Sequence, residues 1–290
     1  MNILIVGGLG FLGNSVVKKG LERGHKITVF DSKTDNNLDV EQVKGNILDK
    51  DHLIEVVKNK DVVYNLAGMA DIDDCINKPY DAINCNVMGN TSVLNACVEN
   101  NIEKYIFASS VYVGGNHGGF YATTKKSSEL IIKDYHKFYG INYTILRYGT
   151  LYGPNANEKN SIYKYLKDAL HKREINYTGN GSELREYIHV DDAASLSYEI
   201  LNEHYNNKTI SLTGNSVIKT RDLFSMISEI LDNDLKINYN VKTSPGRVTA
   251  HYRTCPYSFN KETVHKLTKN FNRELGESLI EILERIDNAG

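Results

Sequence analysis

The chain has 290 residues, of which 41% are hydrophobic and 24% are charged, and its formal net charge is −2. This apolar share can form a core and excludes a largely disordered protein, and the near-balanced charge gives no basic surface for nucleic acid or an anionic membrane. No apolar run approaches the roughly 18 residues of a membrane-spanning helix, and the four cysteines lack the short paired spacing of a zinc site or a disulfide framework. We therefore expect a soluble, reduced, cytoplasmic protein without a metal.

Short apolar runs alternate with helix-compatible segments in the first half of the chain. The runs lie at Asn2–Val6, Lys26–Phe30, Asp61–Leu66, Lys104–Ser109 and Asn142–Arg147, and the first helix is expected at Phe11–Glu22. Continuous rather than alternating apolar runs are typical of strands that are buried on both faces of a parallel sheet. Because strands separated by helices connect through right-handed crossovers, the pattern predicts an α/β fold with a doubly wound sheet.

The pattern loosens after Gly153-Pro154. Helix-like stretches at Ile162–His171, Arg221–Leu231 and Leu275–Ile286 alternate there with short strands such as Thr209–Leu212. We predict two domains: residues 1–149 with about 186–214 form the sheet domain, and about 150–185 with 215–290 form a smaller α/β domain. The apolar stripe along the last helix is interpreted as core packing.

Three glycines follow the first apolar run directly. Gly7, Gly10 and Gly13 have the spacing G-x-x-G-x-x-G, and the first helix begins among them. A tight turn, a close approach to a pyrophosphate and close helix–strand packing all require glycine there. The amides at the N-terminus of the helix would then face the phosphates.

Asp31 comes immediately after the second run. A carboxylate at that position can accept hydrogen bonds from both hydroxyls of an adenosine ribose and repels a 2′-phosphate, so it favours NAD over NADP. The alternative is a glycine-rich turn in a sheet that binds nothing. Strand, glycines, helix, second strand and terminal carboxylate follow in order within about 30 residues, which favours a dinucleotide site.

A candidate catalytic group follows the fourth run. Tyr121 and Lys125 are four residues apart and so share one face of a helix, while Ser110 lies at the end of the preceding strand. A tyrosine acts as a general base only if its pKa falls from about 10 toward neutrality, a change of about 4 kcal/mol. The Lys125 ammonium and the positive ring of an oxidised nicotinamide can share that shift.

The spacing Y-x-x-x-K is weak evidence by itself. It occurs three times, at Tyr121/Lys125, Tyr163/Lys167 and Tyr257/Lys261, in a chain with 19 tyrosines. Only the first pair follows a strand that ends in serines, within the part of the chain that forms the sheet. The other two pairs are interpreted as surface pairs.

Further motifs follow in the same order along the chain. They are Asn65-Leu66-Ala67-Gly68, Ser109-Ser110, segment 147–154, which is similar to R-x-x-N-x-Y-G-P, and segment 179–192, which is similar to G-x-G-x-x-x-R-x-Y-x-x-V-x-D. Together with the glycines, Asp31 and the Tyr121/Lys125 pair they resemble the extended short-chain dehydrogenase/reductases, in the branch of nucleotide-sugar epimerases and dehydratases. The resemblance covers about residues 1–231 and implies a Rossmann-type sheet with a smaller C-terminal substrate domain.

The resemblance also implies residue roles. Tyr121 is the base, Lys125 its partner and Ser110 the hydrogen-bonding assistant, while Arg185 holds the diphosphate of a sugar nucleotide. The implied cofactor residues are Gly7, Gly10, Phe11, Leu12, Asp31, Asn46, Ile47, Leu66, Ala67, Gly68, Asn86, Ser109, Tyr121, Lys125 and Tyr148. The implied substrate residues are Ser110, Thr150, Asn160, Ser161, Tyr177, Thr178, Arg185 and Arg247, with Arg253 as the alternative to Arg247.

Several positions depart from the family pattern. Thr150 replaces the substrate-facing asparagine, and Ala70 replaces a cofactor-facing lysine of the galactose epimerases. Val111 and Tyr112 stand where dehydratases carry Asp-Glu, and because neither can protonate a leaving hydroxyl at neutral pH, we expect no dehydration. The segment from Ser110 to Tyr121 is shortened, which predicts a more open sugar pocket.

The sequence therefore predicts an NAD-dependent enzyme that acts on a nucleoside-diphosphate sugar. We favour an epimerase with a transient 4-keto intermediate, and the alternatives are a 4-dehydrogenase or a 4-keto-hexose reductase of the same family and a non-catalytic NAD-binding sensor. The resemblance also implies a homodimer through the helices after Pro79 and at Tyr121. His189, Asp191 and Asp192 are interpreted as a strand-to-helix junction in which Asp191 or Asp192 caps the helix, rather than as a metal site.

Overall fold

The computed structural model describes residues 1–215, 217–240, 264–268 and 273–289. The strands in these ranges are β1 (Asn2–Val6), β2 (Lys26–Asp31), β3 (Glu41–Lys44), β4 (Val62–Asn65), β5 (Lys104–Ser110), β6 (Asn142–Tyr148), β7 (Thr150–Tyr152), β8 (Glu174–Tyr177), β9 (Leu184–His189), β10 (Lys208–Leu212), β11 (Val217–Lys219), β12 (Lys236–Tyr239) and β13 (His265–Lys266). The α-helices are α1 (Phe11–Glu22), α2 (Lys50–Val57), α3 (Ile72–Asn77), α4 (Pro79–Ile83), α5 (Gly89–Glu99), α6 (Gly119–Tyr139), α7 (Ser161–Lys172), α8 (Val190–Glu199), α9 (Thr220–Ile230) and α10 (Leu275–Ala289).

Eight strands form one parallel sheet in the order β13-β10-β6-β5-β4-β1-β2-β3. From β1 the chain first moves outward through β2 and β3, and it then returns to the other side of β1 as β4. The strand order therefore reverses between β1 and β4, and ligands bind at such a reversal, outside the carboxyl ends of the strands. The predicted doubly wound sheet is confirmed.

The sheet is buried on both faces, which explains its continuous apolar runs. Within β1, Ile3 and Ile5 belong to one core cluster with residues of α1 and α8, whereas Leu4 and Val6 belong to a second cluster with residues of α2 and α5. Neighbouring side chains of a strand point to opposite faces, so every residue of such a strand contacts a helix layer. Burial of each large aliphatic side chain contributes about 1.5–3 kcal/mol.

The C-terminal part has a third core. Strands β7, β9 and β11 form a small sheet, β8 and β12 pair separately, and α7, α9 and α10 pack with them. The stripe on α10 lies in this core, with Leu279, Ile282, Leu283 and Ile286 buried, so the interpretation as core packing is confirmed. The exact domain boundaries stay a prediction.

The structure confirms some predicted element ends and adds elements that the sequence pattern did not indicate. The ends of β1 and α1 are as predicted. Strand β3, with the sequence EQVK, was missed because it is a polar edge strand without an apolar run. A π-helical turn at Asn84–Met88 joins α4 to α5, so one continuous helical segment runs from Pro79, at the first turn of α4, to Glu99.

The start of α8 corrects one expectation. His189, and not Asp191 or Asp192, caps the helix: its Nδ1 accepts the backbone N–H of Asp191 at 3.2 Å. Since α8 begins at Val190, both aspartates lie inside its first turn, where a carboxylate is favoured by the helix dipole but cannot act as the cap. The His189 ring is buried and packs edge-on against Tyr152, 5.3 Å between centroids, which links β9 to β7.

We expect the stability of the protein to fall below about pH 6.5 because of His189. Burial lowers the pKa of this imidazole in the folded protein, so the unfolded chain binds the proton first as the pH falls below about 6.5. The stabilising contribution of the neutral His189 ring is fully present above about pH 6.5. It is lost as the pH falls toward the lowered pKa of His189 in the folded protein. Urea unfolding at pH 8 and pH 5 should show a smaller loss of stability in His189→Gln than in the wild type. His171→Gln, a change at an exposed histidine on α7, is the control and should lose as much stability as the wild type, and an unchanged loss in His189→Gln contradicts the assignment.

In the part of the chain described here, no helix is both long enough and apolar enough to cross a lipid bilayer.

Candidate active site

A cavity of about 770 Å³ lies at the carboxyl ends of β1, β2 and β4, at the reversal of strand order. Eight of the predicted cofactor residues line it: Gly7, Gly10, Asp31, Asn46, Ile47, Leu66, Ala67 and Gly68. The cavity therefore has the position and the lining that the sequence predicted for a dinucleotide.

The glycine turn forms the floor of this cavity. Gly7 has φ +80°, and a Cβ atom there would lie 2.6 Å from the backbone nitrogen of Ala67, so only glycine is accommodated. Helix α1 follows, and Gly10 at its N-cap position provides no side-chain cap. Backbone amides of the first turn are thus left to bind phosphate oxygens at the positive end of the helix dipole. The residues fit the pyrophosphate of a dinucleotide.

Asp31 is held against the glycine turn. Its Oδ2 accepts the backbone N–H of Leu9 at 3.0 Å, and its carboxylate lines the cavity at the end of β2. Two cations that the sequence analysis did not identify, Lys33 and Lys44, line the same end of the cavity. Lys44 pairs in register with Asp31 across β2 and β3, and it was missed because β3 itself was missed.

Replacement of Asp31 by asparagine should weaken NAD binding. Hydrogen bonds to a charged group contribute about 1.5–3 kcal/mol, so we expect the Kd for NAD to rise about 10- to 100-fold. The affinity for NADP should rise relative to that for NAD, because the repulsion of a 2′-phosphate is removed. Isothermal titration calorimetry with both nucleotides measures this. Asp51→Asn, an exposed change on α2, is the control, and unchanged affinities in Asp31→Asn contradict the proposed role.

The predicted catalytic residues come together where β5 ends and α6 begins. The Ser110 hydroxyl accepts the backbone N–H of Tyr112 at 3.3 Å and forms a hydrogen bond with the Tyr121 phenol. Lys125 is buried and donates from Nζ to the carbonyl oxygen of Ala108 at 2.7 Å. Its ammonium also lies over the Phe107 ring, 4.7 Å from the centroid.

The pKa of Tyr121 is shifted in the opposite direction from the one that the sequence analysis expected. Burial raises the pKa of Tyr121, and the hydrogen bond with Ser110 opposes that increase. Burial also lowers the pKa of Lys125 to about 8, so its charge is sensitive to pH near neutrality. The surrounding side chains alone therefore do not make the phenol acidic. A base at neutral pH needs a further positive charge beside the phenol, as an oxidised nicotinamide would supply.

Asn86 links the loop after β4, at Met69, to helix α6. Its Oδ1 accepts the backbone N–H of Met69 at 2.7 Å, and its Nδ2 donates to the carbonyl oxygen of Met69 at 3.1 Å and to the Thr124 hydroxyl at 3.0 Å. Thr124 in turn donates to the carbonyl oxygen of Tyr121 at 2.9 Å. Because Asn86 lies in the π-helical turn, the irregular turn directs one side chain to both the loop and α6.

The side chains of four other predicted cofactor residues contribute to the core or are half-buried, and their contact with the cofactor stays a prediction. The Tyr148 hydroxyl bonds Ser197 Oγ at 2.6 Å inside the core, and Ser109 donates to Glu129 at 2.5 Å. Phe11 and Leu12 are half-buried in the first turn of α1.

The predicted substrate residues lie on the C-terminal elements. Thr150 is on β7, Tyr177 ends β8, Thr178 follows it, Arg185 is on β9, and Asn160 and Ser161 begin α7. Asn160 has a structural role as well, since its Oδ1 caps α7 and its Nδ2 donates to the carbonyl oxygen of Leu151 at 2.7 Å. Arg247 and the alternative Arg253 lie outside the described residues.

Tyr112 and Cys85 are two neighbours of the site. The Tyr112 ring, at a position that the sequence analysis singled out only for lacking a carboxylic acid, packs edge-on against Tyr121, 6.2 Å between centroids. Cys85 lines the cofactor cavity, and the sequence analysis missed it because its spacing from other residues carries no signal. The more open sugar pocket stays a prediction.

The other Y-x-x-x-K pairs lie away from this group. Tyr163 and Lys167 are on α7, where Lys167 is exposed and forms an ion pair with Glu158, and Tyr257/Lys261 lies outside the described residues.

Known proteins are similar to the chain over most of its length. Residues 3–212 match the family model described as the NAD dependent epimerase/dehydratase family. The chain belongs to this family. Its members are NAD-dependent nucleotide-sugar epimerases, dehydratases and decarboxylases, so NAD is the cofactor and the protein is an enzyme of the extended short-chain dehydrogenase/reductase type.

Individual relatives of the chain are named for different activities within this family. A putative UDP-glucose 4-epimerase of Methanocaldococcus jannaschii is 29% identical over 249 residues, which are 78% of this chain and 81% of that protein. A UDP-N-acetyl-alpha-D-glucosaminuronate decarboxylase of Bacillus cytotoxicus is 26% identical over 263 residues, 81% of each chain. The structure of a UDP-N-acetylglucosamine 4-epimerase of Methanobrevibacter ruminantium superposes with a TM-score of 0.85 at 25% identity, covering 100% of this chain and 99% of the other.

Proposed function

We propose that the protein is a 4-epimerase of a nucleoside-diphosphate sugar. One observation carries the proposal: Gly68 lines the cofactor cavity, and a Cβ atom on Gly68 would lie 3.3 Å from Lys125 Nζ. The Lys125 ammonium, one helical turn after Tyr121, therefore lies against a glycine that lines the cavity. A phenol and an ammonium on one helix at the edge of a cavity that would hold NAD suit the reversible oxidation of a carbinol.

In the proposed reaction, Tyr121 removes the proton from the hydroxyl at carbon 4 of the sugar. NAD, when bound, would supply the reversible hydride acceptor for that carbon. The Ser110 hydroxyl orients the sugar oxygen, and Lys125 supplies positive charge that favours the phenolate. Tyr121 returns its proton to the oxygen after the transient 4-keto sugar has presented its opposite face, and the configuration at carbon 4 is then inverted.

The residues near the phenol support epimerisation over dehydration. Val111 and Tyr112 follow Ser110 directly in a 3₁₀ turn at Val111–Gly114, and neither is a carboxylic acid that could protonate a leaving hydroxyl. An epimerase needs no such acid. The reaction that fits these side chains is proton and hydride transfer at a single carbon.

We propose that each predicted domain binds one ligand. Residues 1–149 and about 186–214 would bind NAD, and the remaining residues would bind the sugar nucleotide. Arg185, on β9, would hold the diphosphate, for which a planar fork of donors is suited. Thr150, Asn160, Ser161, Tyr177 and Thr178 would contact the sugar, diphosphate or nucleoside, and Arg247 would be the second cation.

We also propose that the enzyme is a homodimer, as the resemblance implied. Helices α4 and α6 and the π turn carry exposed apolar side chains, with Tyr80 75%, Leu130 57%, Met88 48% and Ile83 44% exposed. Such side chains on adjacent helices suit burial against a second copy. Sedimentation equilibrium tests the oligomeric state, and a monomer at micromolar concentration contradicts it. The cytoplasmic location stays a prediction from the sequence.

The function is tested with a panel of UDP-, GDP- and dTDP-hexoses. NMR analysis of the products should show one pair of carbon-4 epimers interconverting, with no net formation of NADH at 340 nm. Stoichiometric formation of NADH would instead indicate the dehydrogenase, and consumption of NADH by a 4-keto sugar would indicate the reductase. If the protein binds NAD but converts no sugar nucleotide, the result contradicts the proposed epimerase activity and favours a non-catalytic NAD-binding sensor.

A further inference from the structure

One face of α6 carries three ionisable side chains, each one turn after the last. Tyr121, Lys125 and Glu129 are at positions i, i+4 and i+8 and so lie in a row along the helix. The first two belong to the proposed mechanism, and Glu129 does not. Its side chain is buried, with 3% exposed, and a buried carboxylate is stable only if it is paired and hydrogen-bonded.

This row faces three consecutive residues at the end of β5. Lys125 Nζ donates to the carbonyl oxygen of Ala108 at 2.7 Å, the Ser109 hydroxyl donates to Glu129 Oε1 at 2.5 Å, and the Ser110 hydroxyl bonds the Tyr121 phenol. Each turn of the helix thus has its own contact with the strand. A displacement of α6 along its axis would break all three.

Glu129 is anchored from a second strand by Arg147. The guanidinium donates from Nε to Oε1 at 2.9 Å and from Nη2 to Oε2 at 2.5 Å, and its side chain is 7% exposed. Arg147 lies directly beside Ser109 in the register of β5 and β6. A bidentate, buried pair of this kind has a fixed geometry, so the Glu129 carboxylate is held in place one helical turn after Lys125.

Several groups face the Lys125 ammonium. Glu129 is on the same helix, Cys75 is on α3, Cys85 is in the π-helical turn, and the Tyr121 phenol lies one turn away. Burial lowers the pKa of Lys125, and Cys85, Cys75 and the Glu129 carboxylate raise it. Both thiols have raised pKa values because they are buried, so near neutral pH Glu129 is the one formal negative charge among these groups.

We propose that Glu129 is a positioning residue for the Tyr121/Lys125 pair: fixed in place by Arg147 and Ser109, its carboxylate sets a negative charge one helical turn after the Lys125 ammonium and balances the positive charge of the Arg147 guanidinium. The inference rests on the proposed function only for the role of that ammonium in catalysis. The contacts of Glu129 hold whatever the substrate is.

The test measures the pKa of Lys125 directly. Protein labelled with ¹³Cε-lysine is titrated by NMR, and the Lys125 signal is assigned by its loss in Lys125→Arg. In Glu129→Gln the pKa of Lys125 should fall by about one unit or more, because the negative charge of Glu129 is lost while the positive charge of Arg147 remains. In the double variant Glu129→Gln/Arg147→Met both charges are gone, and most of that fall should be reversed. Asp168→Asn, which removes the partner of Lys172 on the surface of α7, is the matched control and should leave Lys125 unchanged.

The direction of each shift decides the outcome. An unchanged Lys125 pKa in Glu129→Gln overturns the proposal, and so does a double variant that shifts it as far as the single variant, since the role of Glu129 would then be only structural. If Glu129→Gln does not fold, Arg147→Met is the second variant. Arg147→Met removes the positive charge that pairs with Glu129 and keeps the Glu129 carboxylate, so the pKa of Lys125 should rise. A fall or no change in that pKa overturns the proposal.

Activity adds a second readout. With the substrate found in the hexose panel, the alkaline limb of the kcat/KM profile, where Lys125 loses its proton, should move to lower pH in Glu129→Gln and return toward its wild-type position in the double variant. If the wild type converts no sugar nucleotide while the Lys125 pKa shifts as expected, the proposed function fails and the role of Glu129 stands. An unmoved limb, together with a shifted Lys125 pKa, overturns the catalytic part of the proposal.

Discussion

Tyr121→Phe should lower kcat by about 10²- to 10⁴-fold, the usual contribution of a positioned general base. The substitution removes only the phenol oxygen, so the half-buried ring can keep its edge-on contact with Tyr112. We therefore expect unchanged affinity for NAD and a change in unfolding free energy of less than about 1 kcal/mol. Steady-state kinetics with the substrate found in the hexose panel, with calorimetry for NAD, measures the split between catalysis and binding.

Tyr163→Phe is the matched control, because Tyr163 has the same spacing to a lysine but lies on α7. Its kcat should equal that of the wild type. Ser110→Ala should have a smaller effect than Tyr121→Phe, since Ser110 assists through hydrogen bonds and transfers no proton in the proposed mechanism. Wild-type turnover by Tyr121→Phe would exclude the phenol as the base.

Gly7→Ala should abolish NAD binding and destabilise the protein. Two costs add: alanine at φ +80° is strained by about 1–2 kcal/mol, and its Cβ would lie 2.6 Å from the nitrogen and 2.7 Å from the Cα of Ala67. Forcing backbone atoms apart costs a further 1–3 kcal/mol, roughly, as overpacking does. Since both residues line the cavity, the displacement changes the shape of the cofactor site itself.

Gly24→Ala separates the two costs. Gly24 has φ +75°, but a Cβ atom there would meet no atom within 4 Å. It should lose only the stability due to backbone strain and should bind NAD normally. Chemical denaturation and calorimetry of both variants measure the difference. Equal destabilisation in the two variants, with NAD binding kept in Gly7→Ala, contradicts the close approach of the glycine turn to Ala67.

Local rules determined how much of the fold could be predicted. The first strand, the glycine turn and α1 were predictable because an apolar run, three glycines and a helix pattern follow without a gap. Strand β3 and the short helix α3 were not, since β3 is polar and α3 has only six residues. Helix α4 continues through a π turn, and no sequence period indicates such a turn.

The site was predictable where one residue type is required by chemistry at a fixed spacing. The glycines, Asp31 and the Tyr121/Lys125 pair meet that condition. The Glu129–Arg147 pair does not, because its members are 18 residues apart and meet only when β6 lies beside β5. The phenol pKa was predicted from the chemistry that a base requires, whereas the structure shows that burial acts in the opposite direction.

The fate of the hydrogen at carbon 4 tests the central claim most directly. A nucleoside-diphosphate sugar labelled with deuterium at that carbon is incubated with the enzyme and catalytic NAD in ordinary water, and the product is analysed by NMR and mass spectrometry. Direct return of the hydride predicts the carbon-4 epimer with its deuterium retained and no NADH accumulating. Formation of the epimer with the label lost to the solvent, or no epimer from any labelled sugar nucleotide that binds, would contradict the account.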